Sequence, residues 1–132
     1  MPDTATPARP PWRIPRGDRG QAAVEFLGYL PILLLVALVG IQLGLVAYVG
    51  SQAGTAARAA ARSEAKHDPM ISGDTAGLDS VSDWLRQDTT ITFPPHNDAS
   101  EVTASVTIKV PSVVPGIDFF DPVTRSATMP GN

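Results

Sequence analysis

An uninterrupted apolar run constrains this chain more than any other feature. Phe26–Val49 is a stretch of 24 residues without Asp, Glu, Lys or Arg, and Gln42 is its single amide. As an α-helix rising about 1.5 Å per residue, the run would be about 36 Å long. The hydrocarbon core of a bilayer is about 30 Å thick, so the sequence predicts a membrane-spanning helix. Tyr29 and Tyr48 lie near its two ends, where tyrosine rings favour the membrane interface.

The rest of the chain is too small to bury such a helix in water. Outside the run and the polar N-terminal region, 83 of the 132 residues remain, which is a small number for one hydrophobic core. The sequence has no cysteine, so disulfides and thiolate metal sites are excluded. We therefore expect a membrane anchor or partner subunits to contribute to its stability.

Charge is distributed unevenly along the chain. Beyond residue 62 there are ten acidic and four basic side chains, a net charge of −6, whereas the whole chain carries −3. Binding to nucleic-acid phosphates needs the opposite sign, so no nucleic-acid partner is expected. Basic residues precede the apolar run and favour a cytoplasmic N-terminus and an extracytoplasmic C-terminal region, in the cell membrane. These residues are Arg9, Arg13, Arg16 and Arg19.

A secretory signal peptide is a second interpretation of the N-terminal region. The apolar part of such a peptide usually spans about 7–15 residues, far fewer than the 24 found here. The small residues of "VGSQAG", residues 49–54, keep cleavage after the run open as an alternative. Pro31 lies in the first third of the predicted helix and removes one backbone donor. We expect a kink there, which a membrane helix tolerates.

A glycine and a glutamate precede the apolar run at a fixed distance. The sequence "RGQAAVEF", residues 19–26, places Glu25 five residues after Gly20. This stretch resembles the prepilin signal of type IV pilins, in which a prepilin peptidase cuts after a glycine that ends a basic leader, and glutamate is the fifth mature residue. The resemblance implies that residues 1–20 form a leader, disordered by its Pro and Arg content, with Gly20 and Gln21 as the processing site. Gln21 departs from the pattern, because many pilins begin with Phe or Met.

The resemblance also gives Glu25 a role. A carboxylate in hydrocarbon is costly unless a cation pairs with it. Cleavage would give Gln21 a free α-amine, which is largely cationic at neutral pH. The resemblance implies that Glu25 meets this amine on a neighbouring subunit and sets the stagger between subunits. The alternative is that Glu25 lies at the level of the lipid headgroups as a solvated helix end.

The alanine-rich segment after the run extends the resemblance. "QAGTAARAAAR", residues 52–62, favours a helix that continues to about Lys66 and stops before Pro69. With the glycine–glutamate signal and the early proline, residues 16–66 resemble the TadE-like minor pilins of tight-adherence (Tad, Flp) systems. The resemblance implies a pilus assembly subunit without enzymatic activity. Its implied partners are a prepilin peptidase, other pilin and minor pilin subunits, the inner-membrane assembly platform and the lipid bilayer.

Small residues in and after the run predict helix packing. Two G-x-x-x-G spacings occur, and this spacing lets two helices approach closely. The glycines are Gly40, Gly44, Gly50 and Gly54. Gln42, within the first pair, would hydrogen-bond across a pair of helices, or face its own backbone or a water defect. The first of these would contribute about 1 kcal/mol.

Basic residues form a stripe on the predicted helical extension. Arg58, Arg62 and Lys66 recur at every fourth position and therefore lie on one helix face. The stripe would contact lipid phosphates or an acidic neighbour. The alternative is an ordinary solvated face.

Residues 67–132 are predicted to form a small acidic extracytoplasmic domain. "GLDSVSDWLRQD", residues 77–88, has apolar residues at helical spacing and predicts one short amphipathic helix. Residues 89–93, 101–110 and 123–129 predict strands, the second with clean alternation of apolar and polar residues. The expected fold class is α+β, with a long helix over residues 21–66 and then a short helix on a two- to three-stranded antiparallel sheet. The loop between the last two strands would bury Phe119 and Phe120 or expose them to a partner.

Patterns that carry catalysis are missing from the sequence. His67 and His96, the two histidines, have no neighbouring ligands at a known metal-binding spacing, so no metal or other cofactor is expected. Nucleophile motifs and glycine-rich phosphate loops are also missing, and we expect no enzyme. A second hypothesis remains, an uncleaved single-pass anchor that displays a small envelope-binding domain. An intact leader would distinguish this anchor from a processed pilin.

Overall fold

The structure is a computed structural model, and it describes residues 4, 5, 7, 8, 19–66, 70–95, 100–118 and 120–131. These residues form a long helix, a short helix, a 3-10 helix and three strands, which confirms the predicted α+β class. The elements are α1 (Arg19–Ala65), α2 (Gly73–Asp79), the 3-10 helix (Asp83–Asp88), β1 (Thr89–Thr92), β2 (Glu101–Ile108) and β3 (Val123–Pro130). Most of the predicted leader, both histidines and Phe119 lie outside the described residues.

The chain divides into two compact units, Met1–Val36 and Ala37–Asn132. In the first unit, the described residues of α1 are exposed. In the second, which we call the C-terminal unit, the rest of α1 carries the core of the fold.

The helix α1 has 47 residues and is long and apolar enough to cross a membrane. It continues through Pro31 and ends at Ala65, one residue before the end predicted from the sequence. Beyond the apolar run, the helix is supported by the high helix propensity of its alanines.

An alanine face of α1 forms one side of the core. Its side chains are fully buried and follow the i, i+3, i+4 spacing of a single helix face. They are Ala53, Ala56, Ala57, Ala60 and Ala61. Ala104 packs with the last two of these alanines. The first three pack with Val81, Leu85, Val106, Ile108 and Val110. The alanines therefore supply buried surface as well as helix propensity.

The sheet has the order β1-β2-β3, with both pairs antiparallel. The central strand β2 alternates as predicted, with Ala104, Val106 and Ile108 buried. Its other face is polar, as expected for an antiparallel sheet with one solvated side. Hydroxyl pairs cross from β2 to β3 on that face, at 2.6 Å for Thr103–Thr128, 2.7 Å for Ser105–Ser126 and 3.0 Å for Thr107–Thr124.

The single helix predicted over residues 77–88 is wrong, because α2 ends before the 3-10 helix begins. Two serines at the break hydrogen-bond outside the helical pattern. Ser80 Oγ donates to the Gly77 carbonyl at 2.7 Å, and the Ser82 amide donates to Gln52 Oε1 at 3.2 Å. The Ser80 hydroxyl competes with helical backbone bonds, as serine side chains do. The Ser82 backbone amide is taken by the Gln52 side chain, and apolar spacing alone reveals neither bond.

Two glycines let α2 approach α1, and their role was not foreseen from the sequence. Gly73 and Gly77 are four residues apart and both are buried. A Cβ on Gly77 would overlap Ile91 Cδ1 and lie 3.1 Å from Ala60 Cβ. A Cβ on Gly73 would lie 2.6 Å from Phe93 Cζ and 2.9 Å from the Ala60 carbonyl oxygen. This third G-x-x-x-G spacing therefore packs helices within the chain.

Replacing Gly73 tests this close approach. We expect Gly73→Ala to lower the free energy of unfolding by about 1–3 kcal/mol, because the new methyl meets a backbone carbonyl that cannot move aside. Gly54→Ala is the matched control, since its Cβ would meet nothing within 4 Å and alanine favours helix. Thermal unfolding of the full chain in detergent micelles, followed by near-ultraviolet circular dichroism, measures both. Equal unfolding temperatures would contradict the packing.

Candidate assembly site

The predicted processing and pairing residues lie in the first two turns of α1. Gly20, Gln21 and Glu25 are all exposed. Gln21 and Glu25 are four residues apart and therefore share one helix face. Among the residues that the structure describes, no ion pair involves Glu25. A neighbouring molecule can therefore supply a charged partner for this carboxylate, as the pairing prediction requires.

Between Val24 and Leu43, exposed apolar side chains cover α1 on all sides. Large exposed ones are Val24, Phe26, Leu27, Tyr29, Leu30, Ile32, Leu33, Leu34, Leu35, Val36, Leu38, Val39, Ile41 and Leu43. A helix that is hydrophobic all round belongs in a membrane or in a protein core. Since these side chains are exposed in the chain, lipid or partner helices have to cover them.

The last residues of the apolar run contact other parts of the chain. Val46 packs against the core and Val49 is fully buried. Tyr48 shares a hydrogen bond of 2.7 Å with Ser82 Oγ, and its ring stacks on Trp84 with the centroids 6.1 Å apart. The part of the run that is open to lipid therefore ends near Leu43, earlier than the run itself.

Gln42 binds the loop between β2 and β3. Its Nε2 donates to the Pro111 carbonyl at 3.2 Å, and its Oε1 accepts from the Val113 amide at 2.9 Å. The side chain is buried, with 8% exposed. Both roles predicted from the sequence, a bond across two helices and a contact with its own backbone or water, are therefore wrong. The loop supplies one donor and one acceptor from about seventy residues away, which spacing within the run does not reveal.

The glycines predicted to pack helices divide into two groups. A Cβ on Gly40, Gly44 or Gly54 would meet nothing within 4 Å. At about 100° per residue, Gly40 and Gly44 lie nearly opposite Gln42 on the helix, so they face away from the loop that it binds. A Cβ on Gly50 would instead lie 3.6 Å from Arg125 Nη2, so Gly50 already faces β3. Packing of Gly40, Gly44 and Gly54 against other helices stays a prediction.

The basic stripe stands well beyond the apolar part of α1. Arg58, Arg62 and Lys66 are exposed and line a shallow groove together with Ile71. Arg58 follows Gln42 by 16 residues, or about 24 Å of helix. The headgroup layer is about 5–8 Å thick, so this distance argues against lipid phosphates as the stripe's partner. An acidic protein surface or solvent remains.

The described part of the chain contains no cluster of three or more His, Asp or Glu side chains that could hold a metal ion. Its three ion pairs join exposed side chains. Arg86 meets Asp83 at 3.1 Å and Asp79 at 4.0 Å, and Lys109 meets Asp118 at 3.8 Å. Pairs of this kind contribute little to stability and indicate a solvated surface.

Replacing Gln42 tests the link between α1 and the loop. We expect Gln42→Leu to lower the free energy of unfolding by about 1–3 kcal/mol, because it leaves the Val113 amide and the Pro111 carbonyl without their partner. Hydrogen exchange of the Val113 amide should accelerate in the full chain in micelles. Gln87→Leu is the control, since Gln87 is exposed on the 3-10 helix. Unchanged protection of Val113 in Gln42→Leu would contradict the link.

Comparison with known proteins gives one match. Residues 20–62, about a third of the chain, match the family model described as TadE-like protein. The comparisons with curated proteins and with solved structures found no match. The matched segment begins at Gly20 and contains Glu25, the exposed apolar part of α1 and the whole alanine face. Residues 20–62 are therefore similar to the family of TadE-like proteins.

Proposed function

We propose that this chain is a minor pilin of a tight-adherence pilus, cut after Gly20 by a prepilin peptidase and built into the assembly through Glu25. The observation that carries the proposal is the TadE-like match, which starts at the glycine of the predicted processing site. Glu25 follows at the position that the prepilin signal requires. The exposed apolar surface of α1 supports insertion into the membrane before assembly.

The position of Gln42 determines how deep Glu25 would lie in the membrane. Because the C-terminal unit holds Gln42, the lipid span has to be counted back from about Ile41. A span of about 20 residues then begins near Ala22. Glu25 would lie inside the hydrocarbon rather than at the headgroups, where an unpaired carboxylate is costly. The amine of a processed neighbour supplies the required positive charge.

The part of the chain from Gln42 onward is then presented outside the membrane. Basic residues near the N-terminus favour a cytoplasmic start, which leaves the acidic distal region extracytoplasmic. Gly40 and Gly44 offer a face of α1 on which a partner helix can pack. The partners of the subunit are the peptidase, other pilins and the inner-membrane assembly platform.

Processing is tested first by the mass of the N-terminus. In cells that contain the peptidase, we expect the membrane-extracted protein to begin at Gln21. Gly20→Ala should abolish this cut, because the peptidase reads the glycine that ends the leader. Gly28→Ala is the matched control and should be cut normally, since a Cβ at either position meets nothing within 4 Å in the chain.

Two outcomes of the processing experiment would count against the proposal. Wild-type protein that keeps its leader, in cells whose other pilins are processed, would favour the uncleaved single-pass anchor. Equal processing of Gly20→Ala and Gly28→Ala would show that cleavage does not depend on the predicted site.

Assembly is tested by removing the carboxylate of Glu25. We expect Glu25→Ala to be cleaved normally but to be lost from sheared pili by at least about tenfold, since breaking a buried ion pair costs about 3–5 kcal/mol. Glu25→Asp, which keeps the charge, should recover part of the incorporation. Glu101→Ala serves as the control, because Glu101 is exposed at the start of β2. Wild-type amounts of Glu25→Ala in the pili would overturn the pairing.

A further inference from the structure

The strand β2 runs along α1 toward the apolar part of the helix. Near the start of β2, Ala104 packs against Ala60 and Ala61. Farther along, Ile108 belongs to the cluster that contains Val49. The partner on α1 thus moves steadily from the end of the helix back toward the apolar run.

The loop that follows β2 therefore lies at the end of the C-terminal unit nearest to the lipid span. Pro111 and Val113 are hydrogen-bonded to Gln42. The neighbours of Gln42 in α1, Ile41 and Leu43, are 55% and 56% exposed and belong to the surface that lipid has to cover. The β2–β3 loop thus begins at the level where the lipid-accessible surface of α1 ends.

This loop exposes large apolar side chains instead of burying them. Ile117 is 50% exposed and Phe120 is 41% exposed. The start of the loop is fixed by local hydrogen bonds, since the Ser112 hydroxyl donates to the Val114 carbonyl at 3.0 Å and accepts from the Val114 amide at 3.2 Å. Its apolar side chains are therefore held outward by a defined loop backbone.

The turn at the tip of the loop depends on a glycine. The Ile117 amide donates to the Val114 carbonyl at 3.4 Å, and Gly116 between them has a φ of 83°. Glycine adopts this left-handed conformation without strain. The turn presents Ile117 directly after Gly116.

From this placement we infer that the β2–β3 loop, described over residues 111–118 and at Phe120, is a membrane-docking element that inserts Ile117 and Phe120 into the interface of the bilayer that α1 spans. The inference rests on α1 being embedded in lipid, and it goes beyond assembly because it concerns the subunit before incorporation. Continuity with the lipid-accessible surface at Ile41 and Leu43 identifies lipid as the occupant.

Charge on the loop indicates which lipid surface it fits. Asp118 lies between Ile117 and Phe120, Asp121 follows Phe120, and Lys109 is the base that pairs with Asp118. An element with this acidic balance gains nothing from anionic headgroups, unlike the basic segments that bind them. We therefore expect docking to a neutral, zwitterionic surface through apolar burial, without enhancement by anionic lipid.

Site-specific labelling tests the docking in the full chain. Because the sequence has no cysteine, Ile117→Cys carries a single environment-sensitive fluorophore. The labelled chain is reconstituted in phosphatidylcholine vesicles that contain lipids with a nitroxide on the acyl chain. We expect the label at position 117 to shift to the blue and to lose fluorescence by nitroxide quenching. Replacing a quarter of the lipid with phosphatidylglycerol should not increase the quenching.

Ile71→Cys is the matched control, because Ile71 is also an isoleucine and is 48% exposed. Its carbonyl accepts a 2.8 Å hydrogen bond from Ser63 Oγ, about 32 Å of helix beyond Gln42. A label there should keep its fluorescence. Leu35→Cys, in the exposed apolar part of α1, should be quenched strongly and reports whether the helix is embedded.

The outcomes separate the explanations. Equal, weak quenching at positions 117 and 71 with strong quenching at 35 would overturn the docking and leave the membrane helix intact. Weak quenching at 35 would overturn both. A blue shift at 117 that disappears as protein is diluted with lipid, without quenching, would assign the loop to a second copy of the chain instead. Since no pilus component is present, none of these results depends on the proposed pilin function.

Discussion

Packing against the alanine face of α1 is the interaction on which the folded part of the chain depends. Alanine has a high helix propensity and a small side chain, so one residue type both extends the helix and forms a smooth surface for the sheet. The close approach of α2 uses the same surface, because Gly73 and Gly77 lie against Ala60. With little more than one small core available, this shared surface lets a single long helix organise three strands and two short helices.

Two polar residues near the ends of the apolar region show how the helix serves two environments. Gln42 has both of its hydrogen-bonding ends occupied by the loop of its own chain. Glu25 has no ion-pair partner among the described residues. Buried polar groups persist where they are paired, and folding pairs Gln42. Glu25 is exposed in the chain, and it would need a partner from another molecule only in the lipid environment proposed for α1. We therefore expect contacts between subunits at the N-terminal end of α1, whereas near the other end of the apolar region Gln42 is already hydrogen-bonded within the chain.

Local sequence patterns predicted most of the secondary structure. The apolar run and the alanines indicated α1 to within one residue of its end, and the alternation of Val102 to Val110 indicated β2 and its buried face. The break after Asp79 was missed because two serines take bonds that apolar spacing does not register. The partner of Gln42 was missed because it comes from residues brought close only by the antiparallel path of β2. At the candidate site, the processing signal around Gly20 stays a prediction from the sequence, whereas the end of the exposed apolar surface of α1 was revealed by the tertiary contacts of Gln42.

That boundary also determines what the charged surface can contact. The basic stripe starts about 24 Å of helix beyond Gln42, and this distance favours protein over lipid as its partner. Acidic side chains outnumber basic ones by ten to four beyond residue 62, and a second copy of the chain would bring such a surface near the stripe. At physiological salt the Debye length is about 8 Å, so this attraction acts only between surfaces that are already close. Charge would then orient subunits that the membrane helices have brought together, and the carboxylate of Glu25 would set their stagger.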